Sequence, residues 1–130
     1  MSRSPASAAP KVVLIAEDEE PIAQALAYLV EDAGYTPVVA VHGKAALEMA
    51  LAQRPDLIIT DLMMPQMSGK EFISALRAAF DLATPPIILM TAAGRRYTDA
   101  AGANALLSKP FDLSDVEALL ERYLGEPARG

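Results

Sequence analysis

Four apolar runs in this sequence are each followed directly by side chains that could carry out ionic or phosphoryl chemistry. The runs and the residues after them are 12–16 with Glu17 and Asp18, 57–60 with Asp61, 87–90 with Thr91, and 105–108 with Lys109. If the runs are parallel neighbouring strands, three carboxylates, a hydroxyl and an ammonium meet at one edge of a sheet. Open α/β sheets bind their ligands at this carboxyl edge.

This group of side chains suits a hard divalent cation and a phosphoryl group. Asp18 and Asp61 could supply two carboxylate oxygens to Mg²⁺, with Glu17 acting directly or through a water. The cation would screen the repulsion between Asp61 and the phosphoryl group, and the Asp61 carboxylate would attack phosphorus to form an acyl phosphate. The Thr91 hydroxyl and the Lys109 ammonium would then bind the new phosphoryl oxygens.

Length and composition exclude several other classes of protein. The chain has 130 residues, which is the size of one domain, and 52% of them are hydrophobic, enough for a substantial core. Its net charge of −6 argues against direct binding of nucleic acid, because the phosphates would repel it. The absence of cysteine fits a reducing compartment such as the cytoplasm. No apolar stretch approaches the ~20 residues of a membrane span.

The elements that must position these side chains alternate between strand and helix. Helix signals stand between the apolar runs, and they include Pro21 at a first helical position, Gly34, Pro55 and Gly69. The predicted strands are 12–16, 37–41, 57–60, 87–90 and 105–108. The last helix is predicted to start near Asp112, with a capping box formed by Ser114 and Glu117. Alternation of helices with continuous apolar strands predicts an α/β fold with a parallel sheet covered on both faces.

Four short motifs give the chain a resemblance to a known family. They are EDEE at 17–20, DLMMPQMSG at 61–69, TA at 91–92 and KPF at 109–111. Together, in this order, they resemble the receiver domain of two-component response regulators. The resemblance implies a flavodoxin-like, doubly wound sheet of five parallel strands in the order 2-1-3-4-5 with about five helices. We expect a disordered tail at 1–10, the receiver domain at 11–124 and a C-terminal tail at 125–130.

The resemblance also implies a role for each motif residue. Asp61 would be the phosphoacceptor for a histidine kinase or phosphotransfer protein, and phosphorylation would require Mg²⁺ and change the binding of a downstream protein. Such a domain is a cytoplasmic signalling switch with autophosphatase activity only. From the net charge and the lack of a long apolar stretch, we expect no direct binding of nucleic acid and no membrane partner. The other implied roles are an acidic metal pair at Glu17 and Asp18, a metal-binding backbone carbonyl at Met63, a switch hydroxyl at Thr91, a phosphate-contacting lysine at Lys109, and a proline after a cis bond at Pro110.

Three departures from the family pattern leave a second hypothesis open. Leu106 stands where the family usually has an aromatic residue that moves together with the switch hydroxyl. Only residues 92–101 separate Thr91 from Gly102, so the fourth helix should be short or irregular. Residues 102–105 lack the acids that help DNA-binding members of the family to dimerise. The alternative function is therefore a pseudo-receiver or docking module in which phosphorylation has little or no effect.

Two further interpretations are weaker. A phosphatase that passes through an aspartyl phosphate usually has a second acid two residues after the nucleophile, and that position is Met63 here, so the leaving group would lack its general acid. His42 is the single histidine of the chain and has no neighbouring metal-ligand residues in the sequence. We interpret it as a loop residue and not as a ligand.

Overall fold

A computed structural model describes residues 10–92 and 102–125, which form a parallel five-stranded sheet in the order β2-β1-β3-β4-β5. The strands are β1 Val12–Ala16, β2 Thr36–Ala40, β3 Leu57–Asp61, β4 Ile87–Thr91 and β5 Ala105–Ser108. The helices are α1 Glu20–Asp32, α2 Gly43–Gln53, α3 Gly69–Phe80 with a 3₁₀ turn at Asp81–Ala83, and α4 Leu113–Leu124. The predicted doubly wound fold and its strand order are confirmed.

Some sequence predictions fall outside the described residues. The short or irregular fourth helix was expected within 92–101, of which the structure describes only Ala92, and the expected tails fall largely at 1–9 and 126–130. The ranges 1–9, 93–101 and 126–130 are outside the part of the chain that the structure describes. The domain bounds 11–124 therefore stay a prediction. No helix in the described ranges is long and apolar enough to cross a membrane.

Two apolar layers hold the sheet. Alternate side chains of each strand face opposite sides, so Val13 and Ile15 pack towards α1 and α4 whereas Leu14 packs towards α2 and α3. All five residues of β3 and all five of β4 are buried. Strands that are apolar on both faces are typical of a parallel sheet with helices on each side.

The register of the strands places their carboxyl ends side by side. Ala16 of β1 pairs with Thr60 of β3, so the residues that follow them in sequence are neighbours at the edge. Asp61 pairs with Met90 of β4, and Thr91 pairs with Ser108 of β5. The pairing of the strands therefore brings the predicted site residues, which end or directly follow β1, β3, β4 and β5, to one edge of the sheet.

The prediction for β2 was wrong by one residue. The strand is Thr36–Ala40 and not 37–41, because the Thr36 N–H donates to the Lys11 carbonyl at 2.9 Å and begins the pairing with β1. Since alternate residues of a strand point their N–H groups the same way, the missing N–H of Pro37 falls on the outer side of this edge strand. Proline there costs the sheet no bond and removes a donor that another strand could use.

Two helix starts also differ from the prediction. Pro21 is the second residue of α1, since the helix begins at Glu20. In α4 the capping box is formed by Asp112 and Asp115, and Ser114 lies inside the helix and donates to Asp112 at 2.8 Å. The sequence offers two possible capping boxes, since an acid stands three residues after Asp112 and three residues after Ser114. The helix begins at Leu113, so Asp112 is the N-cap and forms the capping box.

Candidate active site at the carboxyl edge of the sheet

Asp61 is the last residue of β3, and the backbone around it is fixed. Asp61 is 6% exposed, and its side-chain Oδ1 accepts a hydrogen bond from the Leu62 N–H at 2.9 Å. The Gly69 N–H donates to the Leu62 carbonyl at 2.8 Å, so α3 starts directly against this strand end. A Cβ at Gly69 would collide with the Asp61 carbonyl oxygen and lie 2.9 Å from the Leu62 Cα. Glycine is therefore required where the helix approaches the strand.

Lys109 bridges two carboxylates across the site. Its Nζ lies 2.9 Å from Oε1 of Glu17 and 3.2 Å from Oδ1 of Asp61. Glu17 is fully buried, and its other oxygen accepts from the Glu19 N–H at 3.1 Å. The Lys109 N–H donates to the Thr91 carbonyl at 3.0 Å, and the predicted cis bond before Pro110 is present. Both oxygens of Glu17 are thus already hydrogen-bonded.

Three acids form a cluster with the composition of a cation site. Carboxylate oxygens of Glu17, Asp18 and Asp61 all lie within 4.8 Å of one another, and Asp18 is exposed. Among the described residues, the Lys109 ammonium contacts two of these carboxylates, those of Glu17 and Asp61. Hard divalent cations take such oxygen ligands. Asp18 and Asp61 are better placed to bind a cation directly than Glu17, whose two oxygens already accept hydrogen bonds.

The pKa values of Glu17 and Lys109 are both raised, but for different reasons. Burial raises the pKa of the Glu17 carboxyl, and the hydrogen bond from Lys109 only partly offsets this. Burial acts to lower the pKa of Lys109, but its hydrogen bond to Glu17 and its attraction to Asp61 outweigh burial, so the pKa of Lys109 is raised. The pKa of Glu17 is therefore raised mainly by desolvation, whereas the pKa of Lys109 is raised by the two carboxylates beside it. Lys109 stays protonated, whereas Glu17 is incompletely compensated.

A cleft of about 480 Å³ opens over these side chains. It is lined by Asp18, Glu19, Asp61, Leu62, Met63, Thr91, Ala92 and Lys109. The structure therefore brings together every site residue that the sequence predicted, with Glu17 buried beneath the cleft. Thr91 is only 2% exposed and Met63 is 74% exposed. The metal-binding role of the Met63 carbonyl stays a prediction.

The sequence interpretation missed backbone groups that hold the site. The Glu19 N–H fixes Glu17, and the Leu62 N–H fixes Asp61. The sequence indicates these groups only indirectly. Glu19 and Leu62 follow shortly after an acid at a strand end, where the chain turns and an N–H group can donate to the carboxylate that precedes it. Gly69 was predicted only as a helix signal, although its close approach to Asp61 makes it part of the site.

His42 and Leu106 lie apart from the carboxylates. His42 is the N-cap of α2, where its Nδ1 accepts from the Ala45 N–H at 3.1 Å, and it belongs to no group of potential metal ligands among the described residues. Leu106 is half-buried in β5, pairs with Leu89 of β4 and packs towards α2 and α3. The departure at Leu106 therefore places an aliphatic side chain in the sheet and adds no polar group to the site.

The comparison with known proteins agrees with this geometry. A family model described as the response regulator receiver domain matches residues 13–121. The polar-differentiation response regulator DivK of Brucella anthropi is 32% identical over 121 residues, which cover 90% of this chain and 98% of DivK. The alkaline phosphatase synthesis transcriptional regulatory protein PhoP of Bacillus subtilis is 33% identical over 118 residues, 88% of this chain. The chain spans 48% of the length of PhoP.

Solved structures show the same fold. The receiver domain of the sensor histidine kinase PA1611 from Pseudomonas aeruginosa superposes with a TM-score of 0.82 at 28% identity, covering 91% of this chain and all of that domain. A magnesium ion is coordinated in its active site cleft. The chemotaxis protein CheY4 of Vibrio cholerae has a TM-score of 0.78 at 33% identity, covering 89% of this chain and all of CheY4.

The bridge formed by Lys109 should be measurable as stability. In metal-free buffer at neutral pH, Lys109→Met should lower the free energy of unfolding by about 1–3 kcal/mol, because two largely buried carboxylates lose their cation. Since the pKa of Lys109 is raised in the fold, its contribution is present below the ordinary value of 10.5 and is lost as pH rises through the folded pKa. The difference between parent and variant should therefore shrink above pH 10.5. Urea unfolding across this pH range measures it.

Lys44→Met is the matched control, because Lys44 is an exposed lysine on α2 that does not line the cleft. It should change the free energy of unfolding by only a few tenths of a kcal/mol, as is usual for surface substitutions. If Lys44→Met and Lys109→Met cost the same, or if the Lys109→Met difference persists unchanged in strong alkali, the ammonium does not stabilise the site as described.

Proposed function

Because the chain belongs to the family of response regulator receiver domains, we propose that it is a phosphoacceptor switch of a two-component phosphorelay. A histidine kinase or a phosphotransfer protein would phosphorylate Asp61 in the presence of Mg²⁺, and phosphorylation would change the binding of a downstream protein. The observation that carries this proposal is the Lys109 ammonium, which lies within 3.2 Å of both Asp61 and the buried Glu17 at the floor of an open cleft.

The proposed reaction transfers a phosphoryl group from a histidine nitrogen to Asp61. The Asp61 carboxylate attacks phosphorus, the nitrogen–phosphorus bond breaks, and the electron pair returns to the imidazole of the donor. The cleft leaves room for the donor above Asp61, while the backbone bond from Leu62 holds the carboxylate in place. Lys109 then binds a phosphoryl oxygen, and the Thr91 hydroxyl binds another. Positioning and charge neutralisation account for most of such a transfer.

The acid cluster is proposed to hold Mg²⁺, as the PA1611 receiver domain does. The bound cation would neutralise charge on the phosphoryl oxygens during transfer. Asp18 and Asp61 would contribute carboxylate oxygens, and the Met63 backbone would contribute its carbonyl. Glu17, whose oxygens already accept from Lys109 and the Glu19 N–H, would act through a water.

The same site argues against turnover of an external substrate. The residue two positions after Asp61 is Met63, which has no proton to give to a leaving group, so the cleft contains no general acid for phosphate esters at that position. Water attack on phospho-Asp61 would reset the switch. The net charge of −6 also argues against direct contact with nucleic acid. We place the protein in the cytoplasm with its phosphodonor.

Leu106 supports the alternative, a pseudo-receiver or docking module. It is an aliphatic residue in the strand next to β4, where an aromatic ring would otherwise move together with Thr91. Phosphorylation of Asp61 without any change in structure or partner binding would favour this alternative.

Incubation with acetyl phosphate and Mg²⁺ should add one phosphoryl group to the parent protein, and intact-mass measurement detects it. Asp61→Asn should abolish the addition, because the amide is not a nucleophile, and chelation of Mg²⁺ should do the same. Asp32→Asn is the matched control, since Asp32 is an exposed acid at the end of α1. Equal labelling of the parent and Asp61→Asn would refute the assignment of Asp61.

Leu106→Tyr separates switching from phosphorylation. The new ring should enlarge the chemical shift changes that spread from the site to β5 and α4, while the rate of labelling at Asp61 stays close to that of the parent. Leu82→Tyr controls for the added aromatic ring, because Leu82 is 98% exposed in the 3₁₀ turn. Equal changes in labelling and in the spread of shifts would contradict a role for position 106 in switching alone.

A further inference from the structure

Met63 differs from the other methionines of the described chain in its exposure. It is 74% exposed, whereas Met90 is fully buried in β4. The remaining three, Met49, Met64 and Met67, are partly buried and pack against the apolar layer beneath α2 and α3. A soluble oxidant therefore reaches the Met63 thioether much more easily than any of these four.

The exposed thioether stands at the cleft in which phosphorylation is proposed. Met63 lines that cleft together with Asp61, Thr91 and Lys109. A change in the polarity of its side chain would therefore alter the surroundings of a phosphoryl group on Asp61. None of the three partly buried methionines lines this cleft.

The backbone beneath Met63 is held by bonds that its side chain does not make. The Leu62 N–H donates to the Met90 carbonyl at 3.1 Å, and the Leu62 carbonyl accepts from Gly69. Further along the loop, Met67 packs tightly on α2, because a Cβ at Gly43 would lie 2.6 Å from the Met67 carbonyl oxygen. Modification of the Met63 side chain can therefore leave the fold intact.

From these observations we infer that Met63 is a site of reversible oxidation by peroxides and that its sulfoxide shortens the lifetime of phospho-Asp61. The second half of this inference rests on the proposed function. The Met63 sulfur attacks one oxygen of hydrogen peroxide, the oxygen–oxygen bond breaks, and a sulfur–oxygen bond forms. The other oxygen leaves as water and takes up the proton, so sulfur is oxidised and peroxide is reduced. Methionine sulfoxide reductase with a thiol reductant reverses the change.

The effect on lifetime follows from polarity. The thioether is apolar and accepts hydrogen bonds only weakly, whereas the sulfoxide oxygen is a strong acceptor. At the edge of the cleft it would hold a water close to the acyl phosphate. We expect hydrolysis of phospho-Asp61 to become faster by about fivefold. This is the rate change that results when one net hydrogen bond stabilises the transition state.

The first test is a peptide map after exposure of the full chain to dilute hydrogen peroxide. Met63 should gain one oxygen atom before Met49, Met64, Met67 and Met90 do, with the circular dichroism spectrum unchanged. Oxidation of Met64 or Met67 at the rate of Met63, or loss of structure when Met63 alone is oxidised, would overturn the inference. This map does not depend on phosphorylation, so it remains decisive even if Asp61 accepts no phosphoryl group.

The second test follows the decay of phospho-Asp61 after removal of acetyl phosphate, with each protein compared with its own untreated sample. Peroxide should shorten the lifetime in the parent and in Met49→Leu, and the reductase should restore it. Met63→Leu should show the same lifetime before and after peroxide. An unchanged lifetime in a parent sample oxidised at Met63 would overturn the inference, as would an equal peroxide effect in Met63→Leu. Absence of phosphorylation in the untreated parent would instead refute the proposed function.

Discussion

One electrostatic constraint underlies the whole carboxyl edge of the sheet: two carboxylates that are nearly out of contact with water share one ammonium. Glu17 is fully buried and Asp61 is 6% exposed, and Lys109 lies within 3.2 Å of both. Such a cluster is stable only if the strand ends that carry it are held in fixed register, because a buried carboxylate that loses its partner is left with an uncompensated desolvation cost. It is also incompletely neutralised, so it favours the entry of a further cation.

The scaffold meets this constraint with main-chain bonds. Glu17 is held by the Ala40 carbonyl and the Glu19 N–H, Asp61 by the Leu62 N–H, and Lys109 by the Thr91 carbonyl. The hydrogen bonds of the sheet, and of the turns that follow its strands, thus fix the backbone that carries each charged side chain. The two apolar layers supply the burial, and the strand ends supply the chemistry. This division explains how a small set of polar residues can be held at short distances in a protein whose core is otherwise aliphatic.

Apolar runs and the polar residues after them were enough to predict four strands and the group of site residues, because strand ends at one edge must be close. The order of the strands came from the family resemblance, since five similar aliphatic runs do not specify their neighbours. The start of β2 depends on the hydrogen bond from the Thr36 N–H to the Lys11 carbonyl. The capping box of α4 depends on which residue is the N-cap, since Asp112 and Ser114 each have an acid three residues later. The bond from Lys109 to Glu17 joins residues 92 positions apart, so sequence spacing could not show that both Glu17 oxygens are already engaged.

The central claim is that the carboxyl edge binds Mg²⁺ and a phosphoryl group at Asp61 and passes the change on to the rest of the fold. An NMR titration with Mg²⁺ and then beryllofluoride, a phosphoryl mimic, tests it most directly when the parent is compared with Asp61→Asn. We expect the beryllofluoride step to shift Glu17, Asp18, Thr91 and Lys109 only in the parent, with changes spreading to β5 and α4. No response in the parent, or the same response in Asp61→Asn, would contradict this claim.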